Sequence, residues 1–423
     1  MLISQTNRLL SIQIHGLVIP VYITSLTGVE KIASSFSYSA DITVQDNTQA
    51  ETLINTTATI KITRGEQTQY IHGYITAIKQ MTQHNNAQNF QIRLQPFLYY
   101  LQQQPNQRIF ENNSVIDIGL KLFKARGFYQ FDTSKLSNSY APLTYVVQYQ
   151  ETDFDFVQRL FANHGIQYYF EHTQTQHKLI LIDHAIALPT IGDLKYVDAN
   201  HDTPDIIAWR SQAKIYPNQI TLQCTNQSFS PTLLSETQSM AAINAVQTSL
   251  TLSQTHYLCE NYIQADLQRL AKLQLAHWQA KSYQCHAESL QLNLHAGDCF
   301  NLTQHPNKNE NTTYIIQEIH YHAIDNTHQI NSKPISQNFQ VKFICQRYQD
   351  GITSEPVLHR AQIDGVQVGL ISGKQKYQPN NASMLKTTLQ HNWDKNNYPN
   401  YKYRVAANWA SHNYGIIMQP RES

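Results

Sequence analysis

The sequence predicts a mainly β protein with α+β insertions, and three patterns lead to this fold class. Apolar and polar residues alternate over many short stretches, as at Ala58, Ile60 and Ile62, which is typical of strands with one buried face. Turn residues separate these stretches, as in closed or nearly closed β-barrels. Helical spacing of apolar residues is confined to a few segments, so we expect helices only as insertions in a β body.

Residues 1–105 are predicted to be almost entirely strand. Residues 90–94 alternate in the same way as the stretch from Ala58. Arg64-Gly65-Glu66 predicts a hairpin turn that leads into a strand over 70–78. We interpret this region as a first β-barrel.

Residues 106–200 are predicted to form a mixed α/β section with two capped helices. Ser114 and Asp117 have the spacing of a capping box, in which each side chain satisfies an open N–H group of the first turn. Thr152 and Asp155 repeat that spacing. Both helices should therefore begin at these residues.

The second helix and its flanking strands lie within 145–172. Residues 145–149 and 166–170 are aromatic or β-branched and predict strands. Gly165 stands where a left-handed residue would end the helix. We expect one apolar stripe to face the body of the protein, formed by Phe156, Val157, Leu160 and Phe161.

Residues 201–350 are predicted to form a second β-barrel with one long helix over 261–282. The helix has a buried stripe at Ile263, Leu267, Ala271, Leu275 and Trp278. After it we expect a strand over 290–294, a turn over 295–298 and a strand over 314–319. The same order of strand, turn and strand occurs in the first barrel, at the turn Arg64-Gly65-Glu66 and the strand over 70–78. The repeat therefore indicates a duplicated barrel.

Charge and composition exclude some classes of partner. The chain has 31 Lys and Arg against 30 Asp and Glu, a net charge of +1, so we predict no nucleic-acid partner. Only 14% of its residues are charged, which suits assembly into something larger, although codon bias of the host explains it equally well.

The cysteines and the N-terminus predict a cytoplasmic place of synthesis. The 5 cysteines are scattered, which indicates reduced thiols. No basic region followed by a long apolar run opens the chain, so we predict no signal peptide. No run approaches the ~20 apolar residues of a membrane-spanning helix, so we predict no stable membrane insertion.

One group of residues has metal-ligand chemistry. Glu318, His320 and His322 alternate along a predicted strand, so their side chains share a face, and His328 follows. With 19 histidines in the chain, such spacing also arises by chance, and we predict no resident metal and no cofactor. No catalytic motif is evident, so we predict no enzymatic activity.

Thirteen positions in three segments resemble the hub region of VgrG, the spike protein family of bacterial type VI secretion systems. The same region is similar to the central hub of contractile phage tails. The resemblance spans roughly residues 1–350, and its motif residues are Arg108, Phe110, Gln148, Tyr149, Glu151, Asp153, Phe156, Arg159, Leu160, Gly165, Tyr168, Gly297 and Asp298.

The resemblance implies a structural hub. Such a protein is a homotrimer. Each chain contributes two hub β-barrels, so six barrels surround one axis. This ring of barrels stacks on an Hcp-like tube protein. It leaves the cytoplasm through the contractile machine without a signal peptide. Two alternatives stay open, a secreted effector enzyme of the same system and a β-rich protein that binds sugars or surfaces.

The strand-like pieces of residues 351–423 resemble a partial OB-fold. Its remaining strand would follow Pro420-Arg421, but the sequence ends at Ser423. We therefore expect that residues 356–423 are poorly ordered or that a partner strand completes the fold. A tip protein or a separately encoded needle would supply the point of the spike.

Overall fold

The computed structural model describes most of the first 358 residues and short pieces beyond them. The described ranges are 8–17, 19–44, 50–81, 88–196, 205–226, 232–240, 250–258, 262–325, 337–358, 366, 368–371, 386–391, 402–404, 410–411 and 414–415.

Strands dominate both ends of this main part, and most helices lie between them. The first strands are β1 (Leu10–Ile14), β2 (Val21–Lys31), β3 (Ser37–Val44), β4 (Thr57–Arg64), β5 (Gln67–Gln80) and β6 (Gln88–Gln95). The mixed section contains α1 (Leu98–Leu101), β7 (Pro105–Phe110), α2 (Val115–Ala125), β8 (Phe131–Asp132), β9 (Val146–Thr152), α3 (Asp153–Asn163), β10 (Gln167–His172), β11 (His177–Ile182) and β12 (Thr190–Lys195).

The later elements are four strands, one helix and four more strands. They are β13 (Ile206–Ala213), β14 (Gln219–Asn226), β15 (Thr232–Ser239), β16 (Ser253–Leu258), α4 (Gln264–Ser282), β17 (Tyr283–Ser289), β18 (Cys299–Thr303), β19 (Thr313–Asp325) and β20 (Gln337–Arg347). Beyond them lie β21 (Gly369–Ile371), β22 (Lys386–His391), β23 (Lys402–Arg404), β24 (Ala410–Ser411) and β25 (Tyr414–Gly415).

One 12-stranded sheet joins the two ends of the main part. Its path runs β1-β4-β5-β6-β3-β2-β19-β20-β17-β13, and β18 joins β12 to β19. The link between the halves is the antiparallel ladder of β2 and β19, from Ser25 opposite Ile324 to Lys31 opposite Glu318. The mainly β class is confirmed, but the two predicted barrels are halves of one sheet.

To close the first half into a barrel, β1 would have to pair with β2, but side chains bind the backbone of these two strands instead. Arg8 Nη2 donates to the Ile23 carbonyl at 2.9 Å, and Leu10 N donates to the Asp325 carboxylate at 3.1 Å. Arg8 and Asp325 are both buried and lie 3.4 Å apart. Because these side chains satisfy the backbone of β1 and β2, the predicted barrel is not closed by a strand ladder in the described residues.

In the second half, the last strand of the path lies beside the first, and a single β-bridge joins the two. The path β12-β18-β19-β20-β17-β13 ends beside β12, where Tyr196 and Ile206 form an isolated parallel bridge. One bridged pair closes this ring, so the second predicted barrel also lacks a closing ladder in the part that the structure describes.

Two apolar cores fill the protein. The larger contains buried residues from Leu9 to Ile352. The smaller lies between α4 and the three-stranded sheet β15-β14-β16, with Ile220, Leu222 and Trp278 among its members. The domain boundaries predicted from the sequence stay a prediction.

The predicted long helix is confirmed with one change at its start. Leu267, Ala271, Leu275 and Trp278 are buried as expected. Ile263 is 57% exposed, because it is the N-cap residue before the first turn and not a member of the stripe.

The predicted strand over 290–294 is wrong. The strand β17 ends before it, and Asn293 has a φ of 60°. The segment needs no ladder because side chains bind its backbone: Arg64 donates to the Leu290 carbonyl at 2.6 Å, and the Tyr321 hydroxyl donates to the Leu294 carbonyl at 2.6 Å. Both donors come from distant parts of the chain.

One other local prediction, the hairpin turn, is confirmed. The hairpin at Arg64-Gly65-Glu66 joins β4 to β5, with Arg64 opposite Gln67. Cys224, Cys285, Cys299 and Cys345 are buried free thiols, and Cys259 lies outside the described residues. No helix in the described ranges has the length and apolar character to cross a membrane.

The C-terminal pieces show two small antiparallel sheets. One has the order β21-β22-β23, and the other is the hairpin β24-β25. Residues 405–409 and Pro420-Arg421, on which the partial OB-fold was predicted, lie outside the described residues.

Candidate functional site

The helix α3 begins and ends where the sequence predicts. Thr152 Oγ1 accepts from Asp155 N at 3.1 Å, and the Asp155 carboxylate accepts from the Thr152 hydroxyl instead of the backbone N–H of a full capping box. At the other end Gly165 has a φ of 72°, and Ile166 N donates to the Phe161 carbonyl at 2.9 Å. These bonds form the Schellman ending that glycine favours.

The helix α2 has the complete capping box. Ser114 Oγ accepts from Asp117 N at 3.1 Å, and the Asp117 carboxylate accepts from Ser114 N at 3.2 Å. Hydrogen bonds to Ser114 hold the pKa of Asp117 below its ordinary value. The caps set where α2 and α3 begin, and α3 carries the motif residues Asp153, Phe156, Arg159 and Leu160.

Asp153, in the first turn of α3, is the centre of one polar network. Its side chain is 1% exposed. Arg108 of β7 donates to it, and Arg126 lies 3.6 Å away at the end of α2. Asn106 and Gln148 donate to the same carboxylate, each at 2.9 Å. Two cations and two amides thus compensate the buried charge.

A second pair of motif residues, Arg159 of α3 and Glu151 of β9, forms an ion pair near the Asp153 network. Arg159 donates to the two oxygens of Glu151 at 2.9 and 2.6 Å, and to the Val147 carbonyl at 2.9 Å. Its guanidinium lies 5.0 Å from the centre of the Phe156 ring, which stacks on Phe110 at 5.5 Å. These bonds tie α3 to β7 and β9.

The remaining motif residues have structural surroundings. Leu160 is buried with the apolar stripe, and Tyr168 donates to Gln158 at 2.8 Å. Tyr149 lies half buried on β9, opposite Gln107 of β7. These residues pack in the mixed section, and Tyr168 also joins it to the first strands, because its carbonyl accepts from Ala33 N at 2.8 Å.

Gly297 and Asp298 lie apart from that network, in the turn before β18. Gly297 N donates to the Ile316 carbonyl at 2.8 Å, and the Asp298 carboxylate accepts from His295 N at 2.7 Å. Burial raises the pKa of Asp298 to about 6. The turn places His295 beside a second buried carboxylate.

That second carboxylate is Glu30, at the end of β2. His172 Nε2 lies 3.5 Å from one of its oxygens and His295 Nδ1 lies 3.4 Å from the other. The Tyr38 hydroxyl donates to it, and Ala296 N does so at 3.3 Å. The cluster thus joins β2, β3, the end of β10 and the turn before β18.

The groups of this cluster have shifted pKa values. Burial alone would raise the pKa of Glu30, but His295, His172 and Tyr38 outweigh it and lower that pKa to about 2. Burial would lower the pKa of His295, yet Glu30 raises it to about 9. Burial lowers the pKa of His172 to about 4, against the attraction of Glu30. At neutral pH the ion pair is therefore Glu30 with His295.

Sequence reasoning missed this cluster. Glu30, His172 and His295 are each more than a hundred residues apart in the sequence, and neither Glu30 nor His172 belongs to a motif with characteristic spacing. Only the turn at Gly297-Asp298 signalled its position.

A cavity of about 460 Å³ lies between the sheet and the loop joining β10 to β11. At its floor His72 Nδ1 and His177 Nδ1 are 2.9 Å apart, and Phe97 N donates to His177 Nε2 at 3.3 Å. The described residues that line the cavity include no Asp, Glu, Lys or Arg, and they are Gln13, His15, Thr57, Thr59, His72, Tyr74, Gln130, Gln174, Thr175, Gln176 and His177.

The candidate metal ligands have other partners. His320 Nε2 lies 2.9 Å from one oxygen of Glu318, and Lys31 Nζ lies 3.1 Å from the other. His322 is exposed on the same face of β19, and His328 lies outside the described residues. In the ranges that the structure describes, no three His, Cys, Asp or Glu residues are grouped to hold a metal ion.

The fold and the capped motif segment define the class of protein, a hub protein of the contractile-tail type. The model of the phage tail baseplate hub family matches residues 29–327, and this chain belongs to that family.

Known proteins with similar sequences include a spike protein and a toxin. The type VI secretion system spike protein VgrG1b of Pseudomonas aeruginosa is 24% identical over 368 residues, which cover 83% of this chain and 48% of that protein. The actin cross-linking toxin VgrG1 of Vibrio cholerae is 24% identical over 396 residues, which cover 89% of this chain and 35% of the toxin. The chain thus spans half or less of the length of these relatives.

A solved structure has the same fold. The E. coli c3393 protein, described as a component of the type VI secretion system, matches with a TM-score of 0.66 and 15% identity. The match covers 92% of this chain and 91% of that one.

Proposed function

We propose that this chain forms, as a homotrimer, the structural hub of a type VI secretion spike. The observation that carries the proposal is the match to the baseplate hub family over residues 29–327, on a fold shared along almost the whole chain with a secretion-system component. In this role the protein joins an Hcp-like tube protein to a spike tip.

The interior of the protein suits a mechanical role. The β2–β19 ladder and the Glu30 cluster join residues near the start of the chain to residues beyond 290. The Asp153 network fixes the inserted helices to β7 and β9. A load applied to one half is thus transmitted through paired strands and buried charges.

A surface suited to a second copy of this chain lies on the three-stranded sheet. One face of that sheet covers the smaller core, and the opposite face is open. We call this opposite side the open face. Its described residues carry no formal charge, and they are Gln219, Thr221, Gln223, Thr225, Leu233, Ser235, Thr237, Ser239, Ser253, Thr255 and Tyr257.

Two large side chains mark the open face. Leu233 is 57% exposed and Tyr257 is 52% exposed, and Tyr257 shares a hydrogen bond of 2.6 Å with Thr225. A surface without charged residues that exposes an aromatic group shares two features of the centre of protein interfaces, the depletion of charge and the enrichment of aromatic residues. We therefore propose that it contacts a neighbouring subunit of the trimer.

The partners and the route of export follow from the same proposal. A tip protein or a separately encoded needle would occupy the end away from the tube, and the chain would leave the cytoplasm through the machine without a signal peptide. Support comes from the names of the relatives, which are spike proteins of type VI secretion systems.

The mass of the purified protein in solution tests the trimer. Light scattering at micromolar concentration should give three times 48.7 kDa. Leu233→Lys with Tyr257→Lys should dissociate the trimer, because each subunit contact would then enclose two lysines in a surface without opposite charges. Tyr129→Lys with Ile186→Lys, which places the same two charges on side chains that are 63% and 81% exposed elsewhere, should leave the mass unchanged.

Two results would contradict the proposal. A monomeric mass at every concentration would contradict the proposal that the chain forms a trimer. A trimer that tolerates both lysines would place the subunit contact on another surface.

We propose no catalytic role for this chain. Motif residues such as Arg159 and Glu151 bind one another, and in the Glu30 cluster the side chains of Glu30 and His172 are buried while that of His295 is 26% exposed. The relative that is named an actin cross-linking toxin matches over 35% of its length, so its name does not assign this activity to the matched part.

A further inference from the structure

We propose that the cavity between β5 and the β10–β11 loop binds a small neutral saccharide. This inference does not depend on the trimer, and it concerns a part of the protein that the hub role leaves without a function. Its volume of about 460 Å³ lies in the usual range of small-molecule sites.

The first argument is the charge of the lining. Phosphate and carboxylate ligands are commonly bound by Arg or Lys, and amines by Asp or Glu. The described lining contains neither kind. It contains glutamines and threonines, such as Gln13, Thr57 and Gln176, whose side chains both donate and accept hydrogen bonds. Sugar hydroxyl groups need partners that can do both.

The second argument is a donor of fixed direction at the floor. Phe97 N donates to His177 Nε2, so His177 carries its proton on Nδ1. That proton is donated to His72 Nδ1 across 2.9 Å. His72 therefore carries its own proton on Nε2.

The same arrangement argues against a metal ion at this place. Metal binding at His72 Nε2 would require the proton to move to Nδ1, where it would face the proton of His177. Burial lowers the pKa of His72 to about 4, so the ring stays neutral at physiological pH. His72 is 7% exposed and lines the cavity, and its Nε2–H is thus a neutral donor.

The third argument is the rigidity of the walls. Thr59 Oγ1 donates to the Gln174 carbonyl at 2.8 Å, which fixes the loop against the sheet. Tyr74 is held by edge contacts with Tyr100 at 5.4 Å and His177 at 5.7 Å. A fixed aromatic ring beside amide and hydroxyl groups suits a sugar, whose ring has an apolar side and a polar rim. A preformed site also lowers the entropy cost of binding.

Calorimetric titration with simple sugars tests the proposal. The probes are glucose, N-acetylglucosamine and maltose, with glucuronate and glucosamine as charged analogues. We expect at least one neutral sugar to bind with one site per chain, and to bind at least tenfold more tightly than both charged analogues.

Variants locate the binding. Gln13→Ala with Gln176→Ala should weaken the affinity about tenfold, which corresponds to about 1.4 kcal/mol. His72→Phe keeps the ring and removes the donor, and should weaken it by a similar factor. Gln268→Ala, an exposed glutamine on α4, is the matched control and should have no effect.

Three results would overturn the proposal. They are the absence of binding by every neutral sugar of the panel, equal binding of a charged analogue, and binding that the glutamine pair does not alter. Because the glutamine pair leaves the His72–His177 contact in place, it tests the site even if His72→Phe fails to fold.

Discussion

Two of the buried carboxylates in the described residues, Asp153 and Glu30, are compensated in different ways. Asp153 lies between Arg108 and Arg126, whose charge does not depend on pH in the physiological range. Glu30 lies between His295 and His172, which titrate. The counter-charges of Asp153 are thus arginines. The counter-charge of Glu30 is a histidine that is protonated at neutral pH because Glu30 raises its pKa.

The comparison also separates local from long-range construction. The Asp153 network joins β7, α2, β9 and α3, which follow one another within about sixty residues. The Glu30 cluster joins strands of the first half to the turn before β18, more than 250 residues later. We therefore expect the first to hold the mixed section together and the second to hold the halves together.

The largest effect is expected for Asp153→Asn. The change leaves Arg108 and Arg126 without their buried counter-charge, which costs about 3–5 kcal/mol when a buried pair is broken. The measurement is the free energy of unfolding in urea. The matched control is Asp155→Asn, an exposed carboxylate in the same helical turn, for which we expect a loss below about 1 kcal/mol. Similar losses in the two variants would show that the network is not stabilising.

Glu30→Gln should have a smaller effect that depends on pH. The pKa of His295 is raised from 6.5 to about 9, so the stability it supplies is fully present below pH 6.5 and is lost as the pH rises through 9. The variant should therefore lose about 3 kcal/mol near pH 6.5, at about 1.4 kcal/mol per unit of pKa. The difference from the parent protein should shrink as the pH approaches 9.

The Asp153→Asn protein is the control for that pH dependence. Its loss should stay constant between pH 6.5 and 9, because the arginines keep their charge over this range. Unfolding measurements on the parent and both variants at pH 6.5, 7.5 and 9 compare the two carboxylates directly. A constant loss for Glu30→Gln would contradict the assigned ion pair with His295.

The smallest effect is expected for Gly28→Ala, which disturbs the Glu30 cluster through packing alone. A Cβ atom at Gly28 would lie 2.0 Å from Cδ1 of Tyr38, whose hydroxyl donates to Glu30. Moving this buried ring should cost about 1–3 kcal/mol. Thr27→Ala, at an exposed position of the same strand, should change the melting temperature little. An unchanged melting temperature for Gly28→Ala would show that the ring has room to move.

The mixed section was the most predictable part of the protein. The start of α3 at Thr152, its end at Gly165 and the capping box at Ser114 were read from spacing. Caps and turns depend on residues within one helical turn, so a short sequence window contains all their determinants. The carboxylate bond at Thr152 and the strand over 290–294 were predicted incorrectly, because side-chain geometry and distant donors decide them.

The sequence by itself determined the mainly β class, the capped helices and the resemblance to the hub family. Tertiary structure alone decided that two halves share one sheet, that Arg8 and Asp325 stand where a ladder would close the first half, and that Glu30 meets His295. It also decided that His72 and His177 meet at the floor of a cavity. The physical reason is that periodicity and caps act over a few residues, whereas burial brings together groups that no spacing in the sequence connects.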